Sequence, residues 1–148
     1  MSDAAYNDAR FLIRLNRALL DAGLDALTDA QKMFLAVDFL NTAAMNDGLE
    51  HFFYYQGHLY DSAARGLELI GLAPIAGRLR TYAERVFGNT YPMTSAARQQ
   101  ILDENPDESE AAESAFGNYI EIEPLVTSAL TKWAEANREV FASLPGAG

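Results

Sequence analysis

Met45–Tyr60, MNDGLEHFFYYQGHLY, is the stretch on which the fold turns. Five of its sixteen residues are Phe or Tyr, against 11% aromatics in the whole chain, and Gly48 and Gly57 interrupt it. Asn46-Asp47-Gly48 tolerates positive φ and predicts a helix end. The seven residues Leu49–Tyr55 then suffice for two helical turns, with Phe52, Phe53, Tyr54 and Tyr55 covering more than half the circumference. Such a segment has to be mostly buried, so the stretch reads as an aromatic bend inside a helical core.

Working outward, three- and four-residue spacing of apolar side chains dominates. Asp3–Ala22 predicts a first helix, with Tyr6, Leu12, Leu15 and Leu19 on one side, Arg10, Arg14, Arg17 and Asp21 on the other, and Gly23 as its stop. Thr28 with Gln31 is a capping-box pattern opening a second helix through Met33, Phe34, Val37, Leu40, Ala44 and Met45. Beyond the bend, helices are expected over about Leu59–Ile70, over Ile75–Phe87 after Pro74, from Thr94 or Ser95 to about Leu102, and around Ala111–Tyr119. A last helix is expected to start at Glu123-Pro124 and to run towards Phe141. No alternating strand pattern persists. The reading is all-α: one irregular bundle of six to eight helices without a sheet, a single domain over residues 1–148, with 1–3 and 144–148 frayed.

At 148 residues and 49% hydrophobic, the chain can bury roughly two-thirds of its unfolded surface in one core. It has no cysteine, which excludes disulfides, a thiol nucleophile and a cysteine-ligated zinc site. The N-terminus lacks the basic-then-apolar order of a signal peptide, and no apolar run approaches the ~18 residues of a membrane span. A cytoplasmic protein is expected.

The net charge is −10, and it is uneven. Residues 1–60 hold 4 basic and 8 acidic side chains, 61–102 hold 5 and 3, and 103–148 hold 2 and 10. Such a surface repels nucleic acid and anionic lipid and attracts basic partners. Between Asp103 and Glu123 there are eight acids and no base. Carboxylates three or four residues apart on a helix lie about 5–6 Å from each other. Duplex DNA carries a phosphate about every 3.4 Å along each strand, so acidic rows on adjacent helices resemble its charge. The candidate partner-binding residues are Asp103, Glu104, Asp107, Glu108, Glu110 and Glu113.

Catalytic signals are weak. His51 and His58 are the only histidines. On one unbroken helix their Cα atoms would be about 10 Å apart, whereas helix-borne zinc pairs use i, i+4 spacing. Phosphate-binding glycine patterns and G-x-S-x-G are absent. No metal, no cofactor and no catalytic residue is expected.

The segment NDGLEHFF, residues 46–53, resembles the Asn-Gly-Gly-Phe-x-Gln-Tyr/Phe-Phe motif of a bacterial DNA-mimic protein family. Asn46, Gly48, Phe52 and Phe53 match, while Asp47, Leu49 and His51 stand where the motif has Gly, Phe and Gln. Leu27-Thr28, the run Gly66–Gly71, Phe116 and a last helix ending near Phe141 extend the likeness over roughly residues 27–142. The resemblance implies an all-α homodimer without cofactor or enzymatic activity, whose acidic surface occupies the DNA-binding face of a transcription regulator. Asn46, Gly48, His51, Phe52 and Phe53 then carry structure rather than activity. Two other roles fit the residues: an immunity-type inhibitor of a nuclease toxin, and a small-molecule enzyme using His51 and nearby carboxylates.

Overall fold

A computed structural model describes residues 3–145, with the side chains of residues 3–6, 8 and 9 outside that description. The placing of Tyr6 on an apolar face and the fraying of 1–2 and 146–148 therefore lie outside the described residues. Eight α-helices and three short 3-10 turns account for the described secondary structure, and the chain is an all-α bundle. They are α1 Asp3–Ala22, α2 Asp29–Asn46, α3 Leu49–Gln56, α4 Tyr60–Leu69, α5 Ala73–Phe87, α6 Ser95–Glu104, α7 Pro106–Phe116 and α8 Tyr119–Ala136.

The central helix is α2, which packs on α1, α3, α4 and α8. It starts where the sequence sets a reciprocal cap. The Gln31 amide N–H donates to Thr28 Oγ1 at 3.2 Å, and the Thr28 N–H donates to Gln31 Oε1 at 3.0 Å. The buried Gln31 side chain also donates from Nε2 to the Val140 carbonyl at 2.8 Å, tying the last 3-10 turn, Arg138–Phe141, to the bundle. Leu144 packs partly buried on the same core. Phe34, Leu35, Ala36, Val37 and Leu40 of α2 are all buried. Met45, expected on the apolar face, is exposed in the last turn of the helix. Against α4 the approach is very close: a Cβ on Gly66 would stand 2.6 Å from the Met33 carbonyl oxygen.

The bend is a hub of rings. Phe52 and Phe53 are fully buried. Phe53 lies against Phe52, Tyr60, Tyr82, Phe87 and Tyr91, with centroid distances from 4.9 Å to Tyr82 to 6.3 Å to Tyr91. The Tyr91 hydroxyl donates to the Gly57 carbonyl at 2.7 Å, closing the loop before α6 onto the 3-10 turn Gly57–Leu59. Arg98 of α6 is buried beside it, donating from Nη1 to the Pro92 carbonyl at 3.0 Å with its guanidinium 5.8 Å from the Tyr91 ring. Its Nε has no partner among the described residues.

The last two helices depart from the sequence reading: α7 runs Pro106–Phe116 rather than around Ala111–Tyr119, and α8 stops at Ala136, short of Phe141. The last helix begins at Tyr119, not at Glu123-Pro124, and Pro124 lies inside it. Asn118 caps this start, its Oδ1 accepting from the Ile120 N–H at 3.1 Å. Proline cannot donate to the carbonyl one turn back, but it sits early in the helix and its side chain is exposed, so the helix passes through it. Gly117, with φ of 117°, makes the turn out of α7 that frees Asn118 to cap.

Candidate acidic interaction surface

The six acids picked from the sequence lie on α6 and α7, and the fold divides them into three settings. Helix α7 buries Ser109, Ala112 and Phe116. By helical angle, Asp107 and Glu110 then point away from the core while Glu108 and Glu113 flank it on opposite sides. Asp107 and Glu110 are exposed and have no side-chain partner among the described residues. Glu104, exposed at the end of α6, accepts from Gln100 Nε2 at 3.1 Å.

The two flanking acids serve neighbouring helices. Glu108 accepts from Arg85 Nε of α5 at 2.5 Å, so a cation partly neutralises it. Glu113 is half-buried and reaches α3, where its Oε1 accepts a short hydrogen bond from the Leu49 N–H. A carboxylate is favoured there because the first N–H groups of a helix lack partners and carry partial positive charge. Gly48 makes room for it: with φ of 94° it enters α3, and a Cβ in its place would stand 2.8 Å from that oxygen.

Around this cap the acids of three helices gather. Glu50 of α3 is pushed above its ordinary carboxyl value, first by partial burial and then by the charges of Glu113 and Asp103. Asp103 of α6 also accepts from the Tyr54 hydroxyl at 3.4 Å, a long contact. Burial and the adjacent Asp103 both hold the Tyr54 phenol neutral to higher pH. Glu50 is therefore a member of the surface that a search for acidic runs in sequence passes over, since it lies 53 residues before Asp103. Tyr55 is 61% exposed beside it, its ring 4.9 Å from that of Tyr54. The surface joins carboxylates with tyrosine faces.

The two histidines lie on different elements. His51 is half-buried in α3, with Nε2 3.9 Å from Asp47 Oδ2 and its ring 4.7 Å from that of Tyr55. His58, in the 3-10 turn, is pushed below its ordinary value by partial burial and then by Arg98. Among the described residues no three His, Asp or Glu side chains group as metal ligands, and no helix is long and apolar enough to cross a membrane. Asn46 is exposed at the end of α2, and its side chain has no partner among the described residues.

A family model described as DMP19-like protein matches residues 25–137, from just before the capping box of α2 to the end of α8. The chain belongs to the DMP19-like protein family. The segment matched by the DMP19-like family thus holds the bend at 46–60, the cap between Glu113 and α3, and all six acids of α6 and α7, while the whole of α1 lies before it. Comparison with curated proteins and with solved structures found no match.

Proposed function

We propose that this chain is a non-enzymatic, acidic protein-binding domain that acts as a DNA mimic in the cytoplasm. In this reading Glu50, Asp103, Glu104, Asp107 and Glu110 stand in for phosphates and occupy the basic face of a DNA-binding protein such as a transcription regulator. The observation that carries the proposal is the convergence of carboxylates from three helices, where Glu50 is raised first by partial burial and then by the charges of Glu113 and Asp103. Membership of the DMP19-like family, a family of DNA mimics, supports it. Glu108 and Glu113, in the same acidic run, hold Arg85 and α3 and contribute charge from the edge. A homodimer belongs to the same reading, and sedimentation at several concentrations tests it.

A basic protein held by such a surface gives up its contacts to counterions as salt rises, because exposed charges are screened beyond about 8 Å at physiological ionic strength. The test begins with capture from the native lysate at low and high salt, followed by competition between the captured protein's DNA and the purified chain. Mutual exclusion and a steep loss with salt are expected. Glu104→Lys, Asp107→Lys and Glu110→Lys together should weaken capture at least tenfold, about 1.4 kcal/mol or more, with an unchanged helical signal. A ternary complex with DNA, or capture indifferent to these reversals, rules the mimic out.

A further inference from the structure

A groove of about 500 Å³ runs between α1, α2 and α8 and is lined by polar groups that the acidic surface does not use. A one-way chain of hydrogen bonds supplies part of its wall. The Tyr119 hydroxyl donates to Asn41 Oδ1 at 2.8 Å, Asn41 Nδ2 donates to Thr127 Oγ1 at 3.1 Å, and the Thr127 hydroxyl donates to Glu123 Oε1 at 2.8 Å. The chain ends on a carboxylate, so what it delivers to the groove is an acceptor.

Asn16 of α1 lines the same space, with its Oδ1 closed off from solvent and without a partner. One carboxylate lines it without a donor. The Asp38 carboxyl of α2 makes no hydrogen bond or ion pair among the described residues. Burial alone raises it to about 6. Arg17 and Asp21, both exposed on α1, complete the charged groups of the groove, and Arg17 forms no ion pair with Asp38. A largely buried carboxylate without a partner costs a fold stability, and packing alone gives no reason to keep it. Apolar surface lies alongside: Ile13 and Leu20 are 59% and 48% exposed on the same helix and line the groove.

Unfilled acceptors, net negative charge and an apolar wall match a ligand with a positive head rich in N–H donors and a hydrocarbon stem. We infer that this groove binds an alkylguanidinium or alkylammonium cation, its head donating to Asp38 and Glu123 and its stem lying along Ile13 and Leu20. Such a head occurs on free diamines and on arginine side chains. The inference is independent of the acidic surface, which is built on α3, α6 and α7.

The experiment is calorimetric titration of the full chain at pH 7.5 with agmatine, N-acetylarginine amide and tetramethylammonium. Saturable binding of agmatine with one site is expected, and none of tetramethylammonium, which has the charge without N–H donors. Tighter binding of N-acetylarginine amide than of agmatine assigns the source to a polypeptide; the reverse order assigns it to a free cation.

Asp38→Asn should lose agmatine binding at least tenfold. The folded Asp38 carboxyl binds its proton more tightly than the unfolded one, so its penalty grows as pH rises from 3.8 to about 6 and is complete above that. Asp38→Asn should therefore also raise the melting temperature at pH 7.5, by roughly 3–6 °C, and the gap should close towards pH 4. Loss of binding with a gain in stability separates a ligand site from a failure to fold. Agmatine binding no better than tetramethylammonium, or unchanged in Asp38→Asn, overturns the inference and leaves water as the groove's occupant.

Discussion

Replacing Phe53 by alanine is expected to lower the unfolding free energy by about 3–5 kcal/mol, the range for removing a large ring from a closed core. The side chain is fully buried and touches five other aromatic rings, which come from α3, α4, α5 and the loop before α6. No neighbour can collapse into the void without abandoning its own contacts. Tyr82 is held by its hydroxyl, 3.0 Å from Ser109 Oγ of α7, and Tyr91 by its bond to the Gly57 carbonyl. Phe53→Leu keeps most of the volume and loses the ring pairs, each worth about 0.5–1.5 kcal/mol, and should fall between the wild type and Phe53→Ala. Urea unfolding with an unchanged m-value measures the series. A loss below about 1 kcal/mol for Phe53→Ala would mean the rings are not a joint core, since even modest core truncations exceed that.

Local signals in the chain were legible because their causes are local. The bounds of α1, the capping box of Thr28 and Gln31 and the glycine exits at Gly23 and Gly48 each depend on a few neighbouring residues. The start of α8 was hidden because Pro124 is the strongest helix-opening residue in its neighbourhood, and the weaker Asn118 prevailed once Gly117 had turned the chain. Tertiary placement was not legible at all. Glu50 and Asp103 are remote in sequence and adjacent in charge, and nothing in the spacing of Glu113 distinguishes a capping carboxylate from its exposed neighbours. Arg98 and Asp38 look like ordinary surface charges until the helices are packed around them. A run of acids in sequence therefore could not separate the carboxylates left facing solvent, such as Asp107 and Glu110, from Glu108 and Glu113, which hold neighbouring helices.

That division predicts the second large effect, at Gly48. Gly48→Ala is expected to cost about 2–5 kcal/mol, from two causes that share one oxygen. Its φ of 94° and ψ of 166° lie in a region that is essentially glycine-only, where a side chain costs about 1–3 kcal/mol. The new Cβ would also stand 2.8 Å from Glu113 Oε1 and displace the carboxylate from the Leu49 N–H. A hydrogen bond to a charged group contributes about 1.5–3 kcal/mol. Glu113→Gln alone keeps the shape, removes the charge facing the helix end and should cost about 0.5–1.5 kcal/mol. Because Gly48→Ala already breaks the cap, the double variant should cost less than the two single losses together, with a coupling of about 0.5 kcal/mol or more. Additive losses would show that the carboxylate and the glycine act separately. Coupled losses would mean that one acid of the surface holds the helix that carries another, Glu50, so that the placing of the charge depends on the stability of the bend at Met45–Tyr60.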